Sequence, residues 1–280
     1  MKAKIGMVLA WGLFLSLLGA VCVEAFQFSN VEAWKQPVIV DCLSLTEDAD
    51  CTLIRQGDKA LMIDTGEEQD SEYILNFLKE NGVTRLDYMV ITHSDKDHIG
   101  GANAILEKVP VGRVVLQSYE NEKNQALIRQ CEQKKIAILY PMHTTRLLVG
   151  GMQVLVYPPL EKQYSDENNS SLAVLVTHQK VNMFFPGDAK KKRTEELLQY
   201  HLPQVDLYQV AYHGRSNRLS QPLLELLHPK YAVVTAAQAD EAITNTCKLL
   251  ETQLFYTKEQ NKSFISEGNE LQIREEDSAK

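Results

Sequence analysis

Between Ile91 and Gly101 the chain reads Ile-Thr-His-Ser-Asp-Lys-Asp-His-Ile-Gly-Gly. Two imidazoles, His93 and His98, and two carboxylates, Asp95 and Asp97, fall within six residues. Burying such groups without partners costs several kcal/mol apiece. A divalent cation removes that cost, because carboxylates and imidazoles neutralise it and are fixed by it. His93 and Asp95 are two apart and share a side of an extended segment. Asp97 and His98 are adjacent and point differently, so they can reach a second ion. Gly100-Gly101 is read as the tight backbone turn into the next helix.

Two later positions repeat the setting. Asp188 closes the apolar stretch Met183 to Phe185, and His213 follows Leu207 to Val210; each lies between a strand and a helix. Alone, Asp188 reads equally well as a helix cap and His213 as a structural residue. Taken in order with the first segment, strand-end loops bring His93, Asp95, Asp97, His98, Asp188 and His213 to one edge. Six such ligands suffice for two ions. His143, His178, His201 and His228 have no comparable setting and read as surface or turn residues.

The positioning elements follow from apolar periodicity. Strands are expected at 38–43, 51–55, 60–63, 88–92, 113–116, 136–140, 147–149, 152–157, 172–177, 181–185, 207–210, 231–235 and 254–256, with a last hairpin about Gly268. Helices are expected at 71–81 (closed by Gly82), 101–108, 121–134, 190–201, 221–227 and 240–250. Each half opens with strand hairpins and then alternates strand with helix. The expected fold is therefore α/β, a four-layer αββα sandwich of two facing sheets with helices outside.

Composition narrows the function. With 280 residues, 14 Gly, 9 Pro and 44% hydrophobic side chains, collagen-like and disordered classes are excluded. Twenty-nine basic against 37 acidic residues give a net charge of −8, which argues against gripping duplex nucleic acid by overall charge. Met1 to Ala25 reads as a secretion signal: Lys2 and Lys4, the apolar run Met7 to Val23, then Val23-Glu24-Ala25 as cleavage site. An uncleaved anchor is the alternative, at the short edge of the spanning range. Cys22 invites a lipoprotein reading, but Gly19-Ala20-Val21 lacks the expected leading Leu. Residues 26–280 form the working domain, placed outside the cytoplasm, with no further membrane segment expected. Cys42, Cys51, Cys131 and Cys247 remain; a Cys42–Cys51 bridge across a turn and four buried thiols are both open. Spacings of the Cys-x-x-Cys kind are absent, which speaks against structural zinc.

The segment His93 to Gly101 resembles the signature of the metallo-β-lactamase fold, whose usual form is His-x-His-x-Asp-His. With Asp95 and the two glycines it is similar to the metallo-hydrolase domain of competence DNA-uptake proteins and their secreted relatives. Asp64-Thr65-Gly66 resembles the family's early Asp-x-Gly, Asn169-Ser170-Ser171-Leu172 its Asn-x-Ser-Leu stretch, Gly187-Asp188 its Gly-Asp, and His213-Gly214-Arg215-Ser216 its His-His-Gly-Ser region. The likeness runs from about Val38 to Ile273. It implies two divalent ions, Zn²⁺ or Mn²⁺, with Asp188 bridging them. Two departures stand out: the doubled His is Tyr212-His213, and the His expected near residues 167–169 is absent. Either one ion is weakly held, or Asn168 or Asn169 stands in. The oxygen-rich set tilts toward Mn²⁺ without excluding zinc.

The expected chemistry is hydrolysis of a phosphodiester or another ester-like bond by water whose pKa falls to about 7. Asp97 is assigned as ligand and proton acceptor, His213 as ligand or proton donor. Asn169, Ser170, Lys191 and Arg215 are the substrate-side candidates. The run Lys190-Lys191-Lys192-Arg193 reads as a solvated face or a phosphate-holding patch, and Arg215 with Arg218 likewise. A small phosphodiester or single-stranded nucleic acid is the expected substrate. Lactone or β-lactam hydrolysis and an inactive binding protein are the alternatives. The oligomeric state is not legible.

Overall fold

Met62 and Ile63 are neighbours that face opposite ways. Met62 joins an apolar cluster beneath helices, and Ile63 joins the cluster between two sheets. Strands buried on both faces read as unbroken apolar runs, which is why they stand out in this sequence. The computed structural model describes residues 35–117 and 122–274. The expected leader, Met1 to Ala25, and nearly all of the tail lie outside the described residues.

The first sheet takes β1 (Val38–Cys42), β2 (Thr52–Gln56), β3 (Lys59–Ile63), β4 (Leu86–Val90), β5 (Val111–Val115) and β6 (Ala137–Leu139). The second takes β7 (Thr145–Val149), β8 (Met152–Tyr157), β9 (Ala173–His178), β10 (Val181–Phe185), β11 (Leu207–Gln209), β12 (Tyr231–Val234) and β13 (Gln253–Tyr256). The chain then returns, and β14 (Lys262–Ser266) and β15 (Leu271–Arg274) extend the first sheet beyond β1. The orders are β15-β14-β1-β2-β3-β4-β5-β6 and β13-β12-β11-β10-β9-β8-β7. Each sheet is antiparallel in its opening hairpins and parallel afterwards: β3 to β6 in one, β10 to β13 in the other.

Helices α1 (Ser71–Glu80), α2 (Lys96–Ile99), α3 (Ala102–Lys108) and α4 (Gln125–Lys134) follow strands of the first sheet. Ile74, Leu78, Ile105, Leu106, Leu127 and Cys131 bury α1, α3 and α4 against its outer face. Helices α5 (Lys191–Leu197), α6 (Ser220–Leu227) and α7 (Glu241–Leu249) cover the second sheet through Leu197, Leu223, Leu224, Leu227, Ile243 and Cys247. The four-layer αββα sandwich expected from the sequence is the observed architecture. Among the described residues no helix is long and apolar enough to cross a membrane.

One open alternative is resolved, in favour of four buried thiols, and two expectations are corrected. Cys42 pairs in register with Thr52, not Cys51. Cys42 therefore faces the inter-sheet core and Cys51 the helix-side core, and all four described cysteines are free and buried. Burial pushes the Cys42 thiol up to about 12 and those of Cys131 and Cys247 up to about 11. All four are accordingly expected to resist a water-soluble thiol reagent in the native protein and to react fully in denaturant, read by mass spectrometry of the cysteine peptides. A Cys42–Cys51 cross-link in that experiment contradicts the register. As the first correction, His178 is fully buried rather than superficial: it continues the inward face of Val174 and Val176, with Nδ1 2.9 Å from Ser266 Oγ. As the second, Gly100 and Gly101 have ordinary helical φ of −57° and −78°. They are small because the backbone of residues 65–68 lies against them: a Cβ on Gly100 would sit 2.6 Å from Glu68 N, and one on Gly101 would collide with Thr65 O.

Candidate metal centre

The loops that carry the chemistry leave the carboxyl ends of parallel strands, where open α/β sheets present their ligands. At the end of β3, Asp64 adopts a left-handed φ of 58°, uncommon for a residue with a side chain. Its carboxylate accepts from Thr92 N and Thr92 Oγ1, both at 2.7 Å, fixing the loop after β4. Asp64 Oδ2 also lies 2.9 Å from His98 Nδ1, while Thr65 N and Thr65 Oγ1 hold His98 O. One nitrogen of His98 is thereby committed, and Nε2 is turned toward the centre.

The other strand ends converge on the same point. Gly187, with φ +56°, packs on Thr92 and presents Asp188, which is 1% exposed. After β11, Tyr212 and His213 both take left-handed φ, 52° and 51°. Two such residues in succession store strain, a pattern that marks functional sites. The turn aims His213 Nε2 to 3.1 Å from Asp97 Oδ2 and 3.2 Å from Asp188 Oδ1. His98 Nε2 is 3.3 Å from the same Asp188 oxygen and 3.6 Å from Asp97 Oδ2. Asp97, His98, Asp188 and His213 thus offer one ligand atom each within 4.8 Å of one another.

Sequence reasoning missed Asp50. It is buried just before β2, accepts from Gln209 Nε2 at 2.7 Å, and places Oδ1 3.2 Å from His213 Nδ1. Thr235 Oγ1 is 2.9 Å from that same nitrogen. A carboxylate behind a ligating imidazole fixes its tautomer and orientation, so Asp50 and Asp64 do for His213 and His98 what metal centres ordinarily require.

The donor set fits a cation. His93 Nε2, His98 Nε2 and Asp188 Oδ1 are buried without hydrogen-bond partners. Unmade buried bonds of this kind are expensive unless something else takes the lone pairs. Burial alone would lower the pKa of His98 and His213, yet Asp188 with Asp64 or Asp50 holds both well above the ordinary histidine value. Burial alone would raise Asp188, yet His98 and His213 hold it well below the carboxylate range. The pocket is a concentrated negative field that gathers positive charge, and a divalent ion competes with protons for the same atoms.

The remaining predicted residues divide. His93 Nε2 sits 3.6 Å from Asp95 Oδ2 and 3.8 Å from Asp188 Oδ2, so both lie beside the cluster. Asn168, not Asn169, reaches it, donating from Nδ2 to Asp188 Oδ2 at 2.8 Å. Asn169 Oδ1 instead accepts from Arg193 N, and Ser170 Oγ bonds to Gln117 and Glu167 O. The basic run is split: Lys190 pairs with Asp166 and lies over the Tyr212 ring, Lys191 is exposed, Lys192 pairs with Glu161, and Arg193 is fully buried. Arg215 pairs with Asp48 and also lies over Tyr212. A cleft of about 500 Å³ opens beside the cluster, lined by Asp95, Asp97, Lys96, Lys123 and Asn103 among others; Lys191 and Arg215 do not line it.

The family model for the metallo-beta-lactamase superfamily matches residues 46–237. ComE operon protein 3 of Bacillus subtilis is 26% identical over 230 residues, covering 71% of this chain and 30% of that protein. Recombination protein 2 of Haemophilus influenzae is 25% identical over 198 residues, covering 67% and 23%. Competence protein ComA of Neisseria gonorrhoeae is 26% identical over 216 residues, covering 72% and 29%. The chain therefore spans less than a third of the length of these relatives. Among solved structures, the metallo-beta-lactamase fold protein YhfI from Bacillus subtilis superposes with a TM-score of 0.57 at 12% identity, covering 83% of this chain and 100% of that one. The diiron beta-hydroxylase CmlA from Streptomyces venezuelae gives 0.54 at 13% identity, covering 81% and 53%. Those two likenesses concern the fold; the match over residues 46–237 settles the family, and the chain belongs to the metallo-β-lactamase superfamily.

Proposed function

We propose that this chain is a metal-dependent hydrolase that cleaves phosphodiester bonds outside the cytoplasm, in a small phosphodiester or a single-stranded nucleic acid. The observation that carries the reading is the Asp97–His98–Asp188–His213 cluster, with orphaned buried atoms and with Asp97 lining an open cleft. Superfamily membership supports the hydrolase class, and the competence proteins among the relatives support a nucleic-acid type of substrate. The leader-like segment Met1 to Ala25 supports placement outside the cytoplasm.

Asp97, His98, Asp188 and His213 would hold one ion, Zn²⁺ or Mn²⁺; His93, Asp95 and Asp188, with Asn168, mark a second locus. Such ions supply acidification of water to a pKa of about 7 and polarisation of a substrate oxygen. Asp97 is 22% exposed at its side chain and lines the cleft, the position for accepting a proton from the attacking water. Burial would raise its pKa, but His213 and His98 lower it, keeping it ionised at neutral pH. His213 has Nδ1 held by Thr235 and Asp50 and Nε2 turned to Asp97 and Asp188, which favours its role as a ligand over that of proton donor. Lys96, paired with Glu67, and Lys123, paired with Asp95 and Glu167, line the cleft, while the net −8 disfavours a grip on duplex DNA.

The purified protein with Mn²⁺ or Zn²⁺ is expected to hydrolyse bis(p-nitrophenyl) phosphate and single-stranded DNA, faster than duplex, and to lose the activity to a chelator. Turnover confined to lactones or β-lactams would replace the substrate class. Tight metal binding without turnover of any ester would favour a binding protein.

A further inference from the structure

The two halves of the cluster are unequal in a way that bears on how many ions the centre keeps. Around Asp97, His98, Asp188 Oδ1 and His213, two facing atoms have no partner. Around His93, whose Nε2 is also unpartnered, Asp95 Oδ1 and Asp188 Oδ2 are already occupied. Lys123 Nζ lies 2.6 Å from Asp95 Oδ1 and 2.6 Å from Glu167 Oε2, and Asn168 Nδ2 occupies Asp188 Oδ2. Lys123 is rooted by its neighbour Asn124, which is 1% exposed at the start of α4. We infer that the Lys123 ammonium substitutes for one of the two ions: a single divalent ion is held tightly at Asp97, His98, Asp188 and His213, and a second enters beside His93 only by displacing Lys123 from Asp95.

This inference rests on the metal-dependent reading above and specifies its stoichiometry. An ammonium brings charge to Asp95 and Glu167 without needing the imidazole that the sequence lacks near residue 168. The substitution is a competition rather than a block, because the Lys123 side chain is 49% exposed and an exposed pair is weak. Displacing it leaves a positive charge near a doubly charged ion, so removing that charge strengthens the second site by at least about tenfold.

The test is a calorimetric titration of metal-free full-length protein with Mn²⁺, and separately Zn²⁺, with bound metal counted by elemental analysis after gel filtration. Wild type is expected to retain one equivalent and to bind a second weakly. Lys123→Met is expected to tighten the second equivalent at least about tenfold with the first unchanged, and Lys123→Arg to behave as wild type. The unchanged first equivalent reports that the variant is folded. Two equally tight ions in wild type, or a second ion insensitive to Lys123→Met, overturn the inference and leave the hydrolase reading standing. Wild-type protein that retains no ion overturns both.

Discussion

Replacing Asp188 by alanine is expected to abolish metal retention and to cut phosphodiester hydrolysis by more than about 100-fold. The magnitude follows from position. Loss of a partner behind a metal ligand costs roughly 10–100-fold in affinity or activity, and Asp188 is proposed as a ligand itself. Its Oδ1 faces His98 Nε2 at 3.3 Å and His213 Nε2 at 3.2 Å, while Oδ2 faces His93 at 3.8 Å. Deleting it removes the anionic contact shared by three imidazoles, and Asp97 alone cannot neutralise a divalent ion among them. Asp188→Asn keeps the shape but loses the charge, so it is expected to fall between alanine and wild type. Elemental analysis after gel filtration and the bis(p-nitrophenyl) phosphate rate measure both effects, with circular dichroism as the fold control. An Asp188→Ala protein that keeps its metal would remove the cluster from the chemistry.

The sandwich was legible because its strands are buried on both sides and its helices on one; period and length separate them. The centre was legible where residue type coincided with a strand end, as at His93 to His98, Asp188 and His213. His178 carried an unused signal: in β9 the alternation of Val174 and Val176 continues to it and points inward. Arg193 carried another. Four consecutive basic residues at a helix start cannot share a face, and the face of Arg193, Glu196 and Leu197 is the buried one. Asp50 left no comparable trace. It lies far in sequence from His213 and meets it only because β2 of the first sheet begins at the edge of the sandwich where β11 of the second sheet ends. The choice of Asn168 over Asn169 is likewise made by a single turn of 3₁₀ helix at Glu167–Ser170, one residue finer than spacing alone resolves.

Arg193→Met is expected to have the largest effect on stability, a loss of about 3–5 kcal/mol, because truncating one partner strands a buried charge. The Arg193 guanidinium is completely buried and donates from Nε to Ser171 O at 2.9 Å, from Nη1 to Glu196 Oε2 at 2.9 Å, and from Nη2 to Tyr157 O at 2.8 Å. Methionine fills much of the volume but leaves two carbonyls unpaired and Glu196 buried without a counter-charge. Glu196 keeps its bonds from Tyr164 OH and Leu160 N, yet neither carries charge. The double variant Arg193→Met/Glu196→Met removes the stranded carboxylate, and buried pairs exchanged for apolar residues are often near neutral, so most of the loss should return. Urea midpoints compare the three proteins. The consequence extends to the centre: Ser171 ends the turn that carries Asn168 to Asp188. Arg193→Met should therefore weaken metal retention as well as the fold, whereas a variant with wild-type stability would show that the buried guanidinium is not what fastens this turn to α5.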